Sequence, residues 1–113
     1  MNEHLNLNHK LLVTIVKKGV ASKIVTASKA AGAEGGTIIY GKGTGIHEMK
    51  TFFGITVEHD KEMIITLMPT EKMEQIIQAI EKAGKLSTPG NGIGFVIDVQ
   101  RIAGIAHLLK AQS

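Results

Sequence analysis

Apolar and polar positions alternate along this chain in two different periods. Residues 10–16 hold Leu11, Leu12, Val13, Ile15 and Val16 around a single threonine, a short β-rich run that reads as a central buried strand ending at Lys17, Lys18 and Gly19. Over residues 20–31 the period lengthens. Val20, Ile24, Val25, Ala27 and Ala31 fall close to one helical face, Lys23 and Lys29 take polar positions, and Gly32 is a stop signal. Gly35 and Gly36 turn the chain into a second strand, Thr37 to Gly41. Phe52 to Glu58 is strand-like, His59 and Asp60 are expected to turn, and Glu62 to Met68 is a further apolar run. Thr70 is the expected N-cap of a helix with Glu71 in its first turn, where a negative charge suits the helix dipole. Met73, Ile76, Ile77 and Ile80 then follow at i, i+3, i+4, i+7, with Glu74, Gln75, Gln78, Glu81 and Lys82 on the other face and Gly84 at the end. Phe95 to Val99 is the last strand, and a short helix is expected over 102–109.

The order β-α-β, hairpin, α-β predicts an α+β fold, a ferredoxin-like βαββαβ sandwich with one antiparallel sheet. Both helices need a surface for their apolar faces, and one face of the sheet supplies it. The runs 10–16 and 63–68 are apolar in both directions, so the second sheet face is apolar as well. A second subunit usually covers such a face, and an oligomer is expected.

Composition narrows the class. The 113 residues suffice for one domain with one core, expected over residues 10–113 behind a flexible extension, 1–9. Hydrophobic residues make up 43% and charged residues 20%, as in folded proteins, which argues against disorder. No apolar run approaches the roughly 20 residues of a membrane-spanning helix, so no direct membrane insertion is expected. The polar start lacks the pattern of a secretory leader, and without cysteine there is no disulfide, zinc-thiolate or thiol nucleophile; both fit a cytoplasmic protein. The net charge of +3 is spread along the chain, with no basic block to track a nucleic-acid backbone. Four phenylalanine and tyrosine residues in all, Tyr40, Phe52, Phe53 and Phe95, are too few for a base-stacking RNA platform.

Two glycine-rich stretches are the candidate chemistry. Gly41, Lys42, Gly43, Thr44 and Gly45 form the first; Ser87, Thr88, Pro89, Gly90, Asn91, Gly92, Ile93 and Gly94 form the second. Glycine lets a backbone approach a ligand, and successive N–H groups can cradle an anion. Neither stretch fits a P-loop or dinucleotide fingerprint, so turns that simply need glycine are the competing reading. The five histidines lack metal-ligand spacing: His4 and His9 fall in the extension, His59 in a turn and His107 in the tail. His47 stands out only because it adjoins the first glycine stretch. No nucleophile–base pair can be placed, so no catalytic residues and no enzyme activity are expected. Glu58, Asp60 and Glu62 read as a solvated turn, and Asp98 as a hydrogen-bond partner for a nearby loop.

With these stretches placed, the chain resembles the PII family of nitrogen-regulatory signal proteins. Gly32, Gly35, Thr37, Lys42, Gly43 and Gly45 match its G-x-x-G-x-T-x-x-x-x-K-G-x-G approach to the long T-loop. Gly90, Gly92, Phe95, Val96, Asp98, Val99 and Arg101 match the B-loop and following strand, G-D-G-K-I-F-V-x-D-V-x-R. The likeness spans about residues 10–102. It implies a homotrimer with adenine nucleotides in clefts between subunits, and a T-loop that docks on a membrane transporter or an enzyme. Of the residues assigned to the nucleotide, Thr37, Gly43, Gly45, Gly90 and Gly92 match the family's positions, and Gly41, Lys42, Thr44, Lys85, Ser87, Thr88, Asn91 and Gly94 are added from the two glycine stretches and the lysines beside them. The partner loop would hold Ile46, His47, Glu48, Met49 and Lys50. The chain also departs from the family. Ile93 stands in place of a phosphate-binding lysine, and Gly104 and Ala106 in place of two arginines. The T-loop is shortened and has no tyrosine for uridylylation. A divergent PII-like regulator is therefore expected, with ADP, AMP or another small anion favoured over ATP and with Lys42 or Lys85 replacing the lost charges. The alternatives are a trimeric interaction module without nucleotide and a metal-binding trimer resembling the CutA proteins.

Overall fold

The first apolar run forms strand β1, His9–Lys17, at the middle of a four-stranded sheet. The computed structural model describes residues 8–45, 48, 51–56 and 58–104. Helix α1 (Ala21–Ala30) follows, then strand β2 (Gly35–Gly43) and two short strands, β3 (Thr51–Phe52) and β4 (Ile55–Thr56). Strand β5 (His59–Pro69), a 3₁₀ turn over Thr70–Lys72, helix α2 (Met73–Gly84) and strand β6 (Gly92–Asp98) complete the order. The main sheet runs β2-β5-β1-β6 with every neighbouring pair antiparallel. That is the ferredoxin-like α+β arrangement expected from the element order, with the β3–β4 hairpin added as a separate two-stranded ribbon.

Strand alternation divides the residues between the two sheet faces. Leu12, Thr14 and Val16 of β1 lie on the face shared with Glu62, Ile64, Thr66 and Met68 of β5, and all seven are buried. Ile24 of α1 and Ile76 and Ile80 of α2 pack against that face and close the core. Each fully buried aliphatic side chain contributes about 1.5–3 kcal/mol. The hydroxyls of Thr14 and Thr66 are buried there without a hydrogen-bond partner. Replacing Thr14 by valine removes the unpaired group and keeps the shape, so Thr14→Val is expected to stabilise the fold by about 1 kcal/mol, read as a raised urea midpoint.

The opposite face carries Leu11, Val13 and Ile15 of β1, Met63, Ile65 and Leu67 of β5, Ile39 of β2, and Ile93, Phe95 and Ile97 of β6. No helix packs on it among the described residues. Ile93 is 59% exposed, Ile97 45%, Ile39 45% and Phe95 44%, a contiguous apolar surface that monomers rarely leave bare.

Several local expectations are corrected. His9, assigned to the flexible extension, is a buried first residue of β1 opposite Pro69. His59 and Asp60 are not a turn: they open β5 and pair with Gly43 and Lys42 of β2, because cross-strand pairing extends the ladder past the apolar run. The strand expected over 52–58 is broken at Phe53 and Gly54, both at positive φ, into the β3–β4 hairpin. Thr70 makes no capping hydrogen bond. Its N–H donates to the Asn8 carbonyl, its hydroxyl is buried without a partner, and a 3₁₀ turn starts the helix. Glu62 is not solvated either. It is buried and accepts from Gly19 N and Ala21 N at 2.9 Å each, at the start of α1. Asp98 pairs with Lys10 across the β1–β6 ladder at 2.6 Å rather than with a loop. At the end of α2 the left-handed residue is Lys85, while Gly84 stays helical and serves packing instead, since a Cβ there would meet Ile24 Cδ1 and Leu86 Cδ2 at 3.1 Å. Residues 102–104 are not helical, and the rest of the expected tail helix lies outside the described residues.

Candidate functional site

The two glycine stretches meet at one end of the sheet. β2 and β5 leave that end side by side, with Gly41 opposite Lys61 and Gly43 opposite His59. Having no side chains, Gly41 and Gly43 leave the space in front of Lys61 open; a Cβ at Gly43 would lie 3.5 Å from Lys61 Cγ. From the other side, the chain leaves α2 through the left-handed Lys85 and descends to β6. Asn91 Nδ2 donates to the Lys85 carbonyl at 3.1 Å, and Thr88 N to the same carbonyl at 3.1 Å, which braces this second loop. Gly92 lies so close to β1 that a Cβ would stand 2.6 Å from the Ile15 carbonyl. Between the two loops is a cleft of about 720 Å³.

Its walls are mostly apolar: Ile15, Ile39, Met63, Leu86 and Ile93, with Tyr40 and Pro89 at the sides. Two lysines line it, and each is paired. Lys42 Nζ donates to Asp60, which holds the lysine above and the carboxyl below its ordinary range through that hydrogen bond and the attendant charge attraction. Lys61 Nζ donates to Glu48 Oε1 at 2.7 Å, and Gly45 N donates to the same oxygen. The Lys61 hydrogen bond first, and the Gly45 N–H second, hold the Glu48 carboxyl below the usual glutamate range. A depressed carboxyl stabilises the fold above its unfolded value and loses that contribution as pH falls through its folded one. The Glu48 tie is therefore expected to persist at neutral pH and to open only below the ordinary glutamate value of about 4.3, followed as the side-chain carbon-13 shift of Glu48.

Of the residues assigned to the ligand on sequence grounds, Gly41, Lys42, Gly43, Thr44, Gly45, Ser87, Thr88, Gly90 and Gly92 line this cleft. The other four do not. Thr37 sits further along β2 opposite Ile65, Lys85 caps α2, Asn91 braces the loop, and Gly94 is in β6 opposite Thr14. Within the partner loop, Glu48 lines the cleft, while Ile46, His47, Met49 and Lys50 lie outside the described residues, as does Ala106. Gly104 is in a bend at φ +75°. Sequence reasoning missed Lys61, Tyr40 and Leu86. Lys61 could have been found from the β5 alternation, which sets it two residues before Met63 on the open face, had β5 been extended back to His59. Among the described residues no three metal-ligating side chains converge, and no helix is long and apolar enough to cross a membrane.

No curated protein matches the chain. A family model does, and it covers the whole assembly just described. Both helices, every strand of the sheet and both glycine loops fall within residues 9–107, which match the model described as nitrogen regulatory protein P-II, and the chain therefore belongs to that family of regulatory signal-transduction proteins.

Proposed function

We propose that this protein is a ligand-responsive regulator. It assembles as a homotrimer through the apolar sheet face, binds an adenine nucleotide or a related small anion between the glycine loops, and controls a partner protein through the loop over residues 44–52. The observation that carries the reading is the cleft itself. Two loops about forty residues apart in sequence converge on a space of about 720 Å³, within the usual size of small-molecule sites of roughly 300–1,000 Å³. Its apolar walls suit a base and its glycine backbones suit a phosphate. The apolar surface around Ile93, Phe95 and Ile97 supports the trimer, since a second subunit would remove it from water.

The cleft favours ligands of low charge. Ile93 lines it where the family resemblance would place a lysine, and both lysines that do line it are already paired with carboxylates. Each missing charge-assisted contact costs about 1.5–3 kcal/mol, so AMP or ADP should bind at least as well as ATP. Titration calorimetry with ATP, ADP and AMP tests this. Binding of AMP or ADP no weaker than that of ATP is the expected result, and no heat from any of them at millimolar concentration would sink the nucleotide reading.

The paired lysines also favour a second reading, a trimeric interaction module that takes no nucleotide. In that case deleting residues 46–50 abolishes partner control while Gly90→Ala leaves it unchanged.

A further inference from the structure

The Glu48 carboxylate occupies two donors of the cleft that an anionic ligand could use. Gly45 N ends the first glycine stretch and has one hydrogen, which it gives to Glu48 Oε1. Lys61, the one lysine of the cleft on the open sheet face, gives its ammonium to the same oxygen at 2.7 Å. The second oxygen, Oε2, lies 4.0 Å from His59 Nδ1. The side chains of Glu48 and Lys61 are only 10% and 16% exposed, so this is an inward contact and not a surface pair. A backbone N–H beside an ammonium is the donor set that binds a phosphate or carboxylate oxygen. A single N–H hydrogen cannot serve two acceptors well. Lys42, the other cleft lysine, is held by Asp60, so an entering anion finds both cleft lysines engaged.

We propose that Glu48 is an internal competitor anion: its carboxylate fills the Gly45–Lys61 anion subsite in the free protein, and a phosphate- or carboxylate-bearing ligand binds by displacing it. This rests on the reading of the cleft as a ligand site. Binding then exchanges one anion for another at Lys61, which keeps affinity for anions modest and leaves affinity for an uncharged nucleoside untouched. Because Glu48 belongs to the loop assigned to the partner, the same exchange changes what that loop holds on to when ligand arrives.

The test compares the wild type with Glu48→Gln, which keeps the side chain's shape and a neutral acceptor for Gly45 N–H. The probes are AMP, adenosine and inorganic phosphate, read by calorimetry and by the NMR shift of the Gly45 amide. Glu48→Gln should tighten AMP and phosphate about tenfold, an ordinary coupling between two sites, and leave adenosine unchanged. Adding Lys61→Gln should remove the gain. Equal anion affinities in the two proteins overturn the inference and, where both bind AMP, leave the nucleotide reading standing. A gain for adenosine as large as that for AMP also overturns it, since it signals a loosened cleft and not a removed competitor. Should neither protein bind AMP, the nucleotide reading falls and phosphate decides the exchange alone. A Gly45 midpoint about tenfold lower in Glu48→Gln then supports it, and coincident midpoints or an unmoving amide overturn it.

Discussion

Gly92→Ala is expected to cost about 3–4 kcal/mol, a large fraction of the roughly 5–15 kcal/mol that holds an ordinary domain folded. An ideal Cβ at residue 92 would lie 2.6 Å from the Ile15 carbonyl oxygen, 2.8 Å from Val16 Cγ1 and 3.1 Å from Leu86 Cδ2. The first of these is backbone in the central strand, so it cannot swing aside as a side chain would. Residue 92 also sits at φ +153°, where an L side chain is strained whatever the space. Overpacking and backbone strain each cost about 1–3 kcal/mol, and here they coincide. Gly41→Ala is the matched control. It lines the same cleft, has nothing within 4 Å of its would-be Cβ and needs no positive φ, so its stability should stay within about 0.5 kcal/mol of wild type. Urea midpoints of the two variants measure the difference. If they coincide, the close approach of β6 to β1 is not what demands glycine at residue 92.

The second large effect is at Glu62. Helix α1 begins without help from its own residues: Val20 at the N-cap has no side-chain acceptor, and the first turn holds no acid. The acceptor comes instead from β5, 41 residues away, where Glu62 Oε1 takes the N–H groups of Ala21 and, at 43 residues, Gly19. A carboxylate at a helix start satisfies otherwise orphaned donors and complements the helix dipole. Because Glu62 is only 7% exposed, truncation leaves those donors without ready access to water. Glu62→Ala should therefore cost about 3 kcal/mol, and Glu62→Gln, which keeps one carbonyl oxygen, about 1 kcal/mol. Thermal unfolding of the pair gives the ratio. Equal losses would mean that the side chain acts by packing and not as an acceptor.

These two sites show where local pattern runs out. The i, i+3, i+4, i+7 spacing of Met73, Ile76, Ile77 and Ile80 placed α2, and Ile76 and Ile80 are indeed its buried residues, because a helix face is written within two turns of chain. The apolar run at 10–16 was legible as a central strand for the same reason. Glu62 was not legible as a cap. Its neighbours Glu58 and Asp60 suggested a solvated turn, and nothing near it in sequence announces Gly19 or Ala21. His59 and Asp60 were misread because a turn was inferred from composition, whereas pairing with Gly43 and Lys42 keeps the strand extended.

The candidate site divides in the same way. The glycine stretches at 41–45 and 87–94, and the replacement of a lysine by Ile93, are facts of the sequence alone, as are the two β-α-β halves and the motifs that resemble PII. Which lysine faces the cleft on the open sheet face, and which acid holds it, were settled only in three dimensions. Lys42 and Lys85 were the lysines offered by the sequence, yet Lys42 is held by Asp60 across the ladder, Lys85 caps α2, and it is Lys61 that meets Glu48, whose same oxygen accepts from Gly45 N. Periodicity acts over a few residues and so specifies elements. Strand register and the path of the loops act across the whole chain, and together they decide which charges meet.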